Sequence, residues 1–184
     1  MGYAFQSMDE ALQAVAPGTE LRKALDMIRA AENGALICIG DVDAVLETAS
    51  GGFIIDTAFT ANRLFELAKM DGAIILDAHA RRIIRANVHL TPTVSYETKE
   101  TGMRHRTAMR MCVQTDTLAI TVSQRRGAID LYFGGESVTL GQIESTRRRN
   151  DATILAMQSA RDMLDREIMR LMEIEGEEDA GDRG

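Results

Sequence analysis

An α/β fold is what this sequence predicts: a single globular domain with a central mixed sheet covered by helices, followed by a long C-terminal helix. Three observations carry that expectation. Up to about residue 140, short apolar runs bounded by glycine and polar turns alternate with segments whose apolar residues recur every three or four positions, the pattern of strands interleaved with helices. From Gln142 to Glu175 the character is helical throughout, with Ile154, Met157, Ala160, Leu164, Ile168 and Leu171 on one stripe. A length of 184 residues with 45% hydrophobic content supplies one core and an appended helix rather than two independent domains.

Taken in order, Thr19 is placed to cap a helix that presents Leu21, Leu25 and Ile28 on one face and stops at Asn33-Gly34. A short buried strand, Ala35 to Ile39, follows. Gly40-Asp41 opens a second short helix over Val42 to Thr48, Ser50-Gly51-Gly52 breaks the chain, and Thr60 caps a third helix carrying Leu64, Phe65, Leu67 and Ala68. Ala73 to Leu76 and Ile83-Ile84 flank the polar turn Asp77 to Arg82 as a hairpin. Thr91 to Glu100 is a loop containing Pro92, and Thr101 to Val113 is a helix with His105, Ala108, Met109 and Cys112 along one face. Strands at Thr117 to Val122 and Ala128 to Phe133 form a second hairpin, closed by Gly134-Gly135. The expected organisation is a domain over 1–140, a helical extension over 141–175 and an acidic tail over 176–184. The tail has no large apolar residue to bury and is expected to be disordered.

Charge and cysteine usage exclude several function classes. With 28 acidic against 21 basic side chains the formal net charge is −7, so the molecule as a whole repels nucleic acid and anionic membranes, and an anionic ligand needs a local basic site. Cys38 and Cys112 have no partner at metal-ligand spacing and read as reduced, buried thiols. The start, Met1 to Gln6, lacks the basic-then-apolar order of a secretory signal, and runs such as Ala35 to Ile39 are far too short to span a bilayer. The expectation is a soluble, cytoplasmic protein with no membrane partner.

Three segments carry candidate chemistry. In Asp71-Gly72-Ala73, glycine lets a ligand approach the backbone, and the carboxylate suits a divalent metal or a hydroxyl proton; Asp-Gly before a strand is equally an ordinary turn. Arg104-His105-Arg106-Thr107 places guanidinium groups near a helix start, where amides and arginine forks suit a polyphosphate. A solvated basic face is the competing reading, although the acidic residues that surface helices usually intersperse are missing between Thr101 and Thr115. Residues two apart cannot share a helix face, so Arg104 and Arg106 should diverge, one toward phosphate and the other toward a carboxylate. Ser123-Gln124-Arg125-Arg126-Gly127 lies between strands, either as a plain hairpin turn or as further positive charge for the same ligand. From Thr101 to Ile129, Arg104, Arg106, Arg110, Arg125 and Arg126 face Asp116 alone, an excess of positive charge inside an acidic chain. His79 and His89 have no second ligand at metal spacing, Arg147-Arg148-Arg149 reads as a solvated face, and the eleven methionines read as core filler.

Asp71-Gly72-Ala73, then Arg85 to Leu90, then Glu100-Thr101-Gly102-Met103-Arg104-His105-Arg106-Thr107-Ala108, together with Ser123 to Arg126 and Gly51-Gly52-Phe53, resemble the diadenylate cyclase family in order and spacing. The resemblance covers roughly 18–140, and the helix after 142 is similar to the linker that follows this domain in the bacterial DNA-integrity scanning proteins. In those relatives a helix-hairpin-helix module then binds branched DNA; this chain ends in an acidic tail instead, so DNA binding is not expected of it. The family usually has Thr where this chain has Met103, which keeps the backbone amide and loses a hydroxyl.

What the resemblance implies is a bacterial enzyme that joins two ATP molecules into the second messenger cyclic di-AMP with release of two pyrophosphates, between two facing protomers of a homo-oligomer. It implies Asp71 for a divalent cation, Mg²⁺ or Mn²⁺, and for the attacking hydroxyl. Gly72 and Ala73 are implied for the ribose and Leu90 for the adenine edge, with Met103 beside the nucleotide. Arg104, His105, Arg106, Thr107, Ser123 and Arg126 are implied for the phosphates. The alternatives are a nucleotide-binding sensor that keeps the pocket with weakened turnover, marked by Met103, and an oligomerisation module organised by the long helix.

Overall fold

Five consecutive buried residues, Ala35–Ile39, form β1, around which the sheet is organised. In the computed structural model, residues 5–96 and 102–181 are described, the side chains of 142–149 and 171–181 excepted. Glu100, Thr101, the side chains of the Arg147 to Arg149 run and residues 182–184 therefore lie outside the described residues. β1 pairs in parallel with β4 (Ala73–Leu76) and antiparallel with β6 (Leu118–Val122), so the sheet is mixed. Its strand order is β2 (Ala49–Ser50), β5 (Arg82–Leu90), β4, β1, β6, β7 (Ile129–Phe133) and β8 (Glu136–Thr139), with β3 (Phe53–Ala58) also pairing with β5.

Helices cover both faces, as period-two alternation along fully buried strands requires. Ile37 and Ile39 point to the face packed by α1 (Met8–Ala14), α2 (Glu20–Ala30) and α4 (Ala61–Leu67), where Ala24, Leu25, Ile28 and Leu64 are fully or almost fully buried. Leu36 and Cys38 point to the opposite face, against α3 (Val42–Glu47) and α5 (Met103–Thr115). The caps follow the side-chain chemistry: Thr19, Asp41 and Thr60 each accept a hydrogen bond from an amide of the first turn. Both cysteines are free and buried; burial pushes the Cys38 thiol up to about 12 and raises that of Cys112, so neither is a reactive thiolate.

Four elements have no counterpart in the sequence reading: α1, capped by Ser7, and strands β2, β3 and β8. β3 lies outside the main strand order with Phe53 and Ile54 exposed, so it carries no buried periodicity, and β8 (ESVT) is short and polar. Gly134-Gly135, read as the end of a hairpin arm, is instead the turn into β8, both residues at positive φ (58° and 82°). The backbone of α6 (Leu140–Gly181) is helical through the acidic segment as far as Gly181. Glutamate is a good helix former, and a long helix already nucleated upstream extends at little cost.

By compactness the chain divides into residues 1–141 and 142–184. In the second unit, Ile154, Met157, Leu164 and Ile168 of the expected stripe are exposed. Among the described residues no helix is long and apolar enough to cross a membrane.

Candidate functional site

The turn before β4 delivers Asp71 and Gly72. Gly72 sits at φ +89°, and a Cβ added there would meet backbone atoms of Asn87 and Val88 at 2.8–3.0 Å. Only glycine gives both that dihedral and that clearance. Gly72→Ala should therefore lower stability by about 2–4 kcal/mol, from left-handed strain plus overpacking against backbone. Thermal melting checks this, with an expected fall of roughly 5–15 °C. The Asp71 carboxylate, meanwhile, is 99% exposed, 3.7 Å from Nη2 of Arg104.

Arg104 comes from the first turn of α5. Gly102 caps that helix with no side-chain hydrogen bond, and the intrahelical ladder is joined at Arg106, whose amide donates to the Gly102 carbonyl at 3.0 Å. The amides of a helix's first turn have no partner within the helix and can meet an external acceptor. Gly34, at the entrance to β1, makes room for the guanidinium: a Cβ there would stand 2.1 Å from Arg104 Nη1. Arg106 points away and is exposed, as the helical period requires of residues two apart. Among the described residues it is Arg104, of the two, that lies beside a carboxylate.

His105 occupies the buried side of α5. Its Nε2 is 3.3 Å from Oδ2 of Asp130 and 3.1 Å from Nη2 of Arg126, and its ring packs edge-on to Tyr132. Asp130, only 4% exposed on β7, also accepts from Arg126 Nη2 at 3.1 Å and from the Thr139 hydroxyl. A buried carboxylate is tolerated when paired in this way. One side chain thus ties α5, the β6–β7 loop and β8 together and orients two of the candidate phosphate ligands.

Two adjoining clefts open here. The larger, about 680 Å³, runs between Gly102 to His105 and the loop Val122 to Arg126. The smaller, about 140 Å³, is lined by Leu36, Gly72, Ala73, Val88, His89, Leu90 and Thr107, and shares Met103 and Arg104 with the first. A mainly apolar slot beside a groove lined by Arg104, Arg125 and Arg126 suits a flat ring joined to an anionic chain.

Of the residues singled out in the sequence, Gly72, Ala73, Leu90, Met103, Arg104, His105, Thr107, Ser123 and Arg126 line one or both clefts. Asp71 borders them through Arg104, while Arg106 lines neither. Asp130, Asn87, Gly34 and Leu36 were not found from sequence. For Asp130 a signal existed, a charged residue inside the otherwise apolar strand Ile129 to Phe133. Among the described residues no three His, Cys, Asp or Glu side chains gather as a metal cage. Asp71 is a carboxylate at the border of the clefts that could hold a divalent cation, with water and ligand phosphates able to complete the shell.

Comparisons with known proteins place the chain in a family. Residues 22–137 match the family model described as DAC, the DisA bacterial checkpoint controller nucleotide-binding domain. The DNA integrity scanning protein DisA of Carboxydothermus hydrogenoformans is 43% identical over 165 residues, covering 90% of this chain and 47% of the relative. DisA of Bacillus subtilis is 43% identical over 167 residues, covering 91% of this chain and 46% of the relative. The chain thus spans about half the length of these curated relatives. Among solved structures, a double mutant of DacA from Staphylococcus aureus superposes with a TM-score of 0.54 at 24% identity, covering 72% of this chain and 89% of that one. A hypothetical membrane spanning protein from Bacillus cereus superposes with a TM-score of 0.61 at 24% identity, covering 71% and 69%. Both share the fold. The family model and the DisA relatives, matching the stretch that carries both clefts, establish that this chain belongs to the DAC family of nucleotide-binding domains.

Proposed function

We propose that the chain is a diadenylate cyclase domain that condenses two ATP molecules into cyclic di-AMP. The observation that carries this reading is the meeting of Asp71 and Arg104 where an apolar slot joins an arginine-lined groove. A nucleotide needs both halves of that site, one for its base and sugar and one for its phosphates.

In the reaction, the 3′-hydroxyl oxygen of one ATP attacks the α-phosphorus of the other, the bond to the β-phosphate oxygen breaks, and pyrophosphate leaves. The reciprocal attack closes the ring, so two bonds form, two break and two hydroxyl protons are released. Chemistry of this kind rests on positioning and charge neutralisation more than on covalent help. Asp71 would accept the hydroxyl proton and, with the triphosphate, hold Mg²⁺ or Mn²⁺, which when bound offsets phosphate charge. Gly72 and Ala73 would take the ribose through close backbone approach, and Leu90 the adenine edge. Arg104, His105, Thr107, Ser123 and Arg126 would hold the phosphates, with Arg106 adding charge from its exposed position.

Incubation with ATP and Mg²⁺ or Mn²⁺, followed by chromatographic separation of nucleotides, tests the proposal. Cyclic di-AMP supports it. ATP bound but unchanged would favour the sensor reading, for which the exposed Met103 at the shared wall of the clefts is the relevant departure from the family pattern.

The two arginines should separate in a binding titration at fixed salt. Arg104→Ala is expected to weaken ATP by about 1.5–3 kcal/mol, the range for a charged hydrogen bond. Arg106→Ala should cost less than about 1 kcal/mol, as an exposed charge does. Equal losses would place both guanidinium groups directly on phosphate.

A further inference from the structure

We propose that Asn87 is a positioning residue that holds the Asp71-Gly72 turn in its working geometry, an inference that rests on the role given to Asp71 above. Asn87 lies within β5, yet its φ is +56°. Strand residues ordinarily sit far on the negative side, and a left-handed non-glycine persists only where its surroundings over-determine it. Asparagine is among the residues that tolerate this conformation best.

The surroundings are specific. Two glycine backbones close on this stretch of β5, Gly72 at φ +89° and Gly52 at φ +79°. A Cβ on Gly72 would come within 2.8 Å of the Asn87 carbonyl carbon, and one on Gly52 within 2.7 Å of the Ala86 oxygen and 3.1 Å of the Asn87 oxygen. The pairing of β4 with β5 is irregular here: Ala73 faces Val88 and Ile75 faces Arg85, so Ala86 and Asn87 together oppose Ile74. Such a bulge takes one residue out of the ladder and re-aims its side chain. The Asn87 amide, Nδ2, donates to the Asp71 carbonyl oxygen at 2.8 Å.

Asp71 needs this support. Its carboxylate is almost wholly exposed, and Arg104 approaches only to 3.7 Å. A carboxylate that must meet a hydroxyl and a cation cannot also be packed in the core, so its aim has to be set through its own backbone. Asn87 supplies that tie, and the bulge, the strained dihedral and the two glycines are the means of bringing the amide there. Loss of the tie should leave ATP binding intact and lower turnover, since small displacements of a reacting group cost large factors in rate.

Two substitutions separate the amide from the backbone. Asn87→Gly accepts the left-handed dihedral without strain and removes the side chain with its hydrogen bond, at the cost of a freer backbone; Asn87→Ala removes the bond while keeping a strained, stiffer backbone. Each variant is compared with wild type for kcat and KM for ATP, melting temperature, and hydrogen–deuterium exchange in the peptide carrying Asp71-Gly72. Asn87→Gly should lower kcat on the order of tenfold or more with KM within about twofold, and should speed exchange at 71–72 while the rest of β4 stays protected. Asn87→Ala should do the same with a lower melting temperature. Unchanged kcat and exchange in folded Asn87→Gly would overturn the proposal, as would a parallel loss of ATP affinity and turnover, which would make Asn87 a general support. A wild-type protein that makes no cyclic di-AMP would count against the proposed reaction, while unchanged exchange at 71–72 in the variant would still refute the tie itself.

Discussion

Asp71→Asn is expected to leave a folded, ATP-binding protein whose cyclic di-AMP synthesis has dropped on the order of 10³-fold, the scale set by removing a charge from the reacting centre. Stability should hardly move. The carboxylate is 99% exposed and its ion pair with Arg104 is long, so the protein loses a contact worth little to folding. Asparagine has nearly the same shape and the Asp71 carbonyl that Asn87 grips is backbone, so the turn keeps its geometry. What disappears is the only group in the turn that can carry negative charge to a cation and accept a proton from a hydroxyl. Circular dichroism, ATP titration and a product assay on one preparation check the three parts. Turnover near wild type in the folded variant would remove Asp71 from the mechanism.

The second large effect concerns self-association. Cyclic di-AMP has two equivalent halves, whereas this chain offers one Asp71-Gly72-Ala73 turn and one Arg104-His105-Arg106 segment. An arrangement that would meet both requirements is a two-fold pair with facing clefts, each protomer presenting its ATP to the other. Specific activity should then fall as the protein is diluted through its dissociation range. Asp71→Asn protein, which on the proposed roles would bind ATP without activating a hydroxyl, should poison wild type by forming mixed pairs. With nine inactive copies to one active copy, random pairing lowers activity per wild-type protomer about tenfold. Sedimentation and product assays on the same dilution series test this. A monomer with constant specific activity at every dilution refutes the facing arrangement.

The fold draws on different layers of information. The helices with clear caps and a one-sided apolar stripe, Glu20–Ala30 and Ala61–Leu67, were legible because their amphipathic period and capping hydroxyls are local properties. The fully buried strands Ala35–Ile39 and Leu118–Val122 were legible as short apolar runs between turn signals. Phe53–Ala58 was not, because Phe53 and Ile54 are exposed, none of its residues is fully buried, and the pairing that makes it a strand is supplied by a partner some thirty positions away.

For the site, the residue types were local and their meeting was not. Asp71-Gly72-Ala73, the arginines of α5 and the Ser123 to Arg126 loop can be read as a carboxylate, a close-approach glycine and a basic field, and the family likeness follows from their order. By itself, then, the sequence determined the mixed α/β architecture, the buried thiols and the segments that line the two clefts. Only the tertiary structure decided that Arg104 rather than Arg106 stands beside Asp71, and that Asp130 gathers His105, Arg126 and Thr139. It also decided that Asn87 leaves its ladder to hold the Asp71 carbonyl. The physical reason is common to all three. A helix period says that two side chains diverge without saying what stands opposite each. A buried carboxylate takes whichever donors the sheet register brings within reach. A bulge arises from how two strands pair, which neither strand encodes alone.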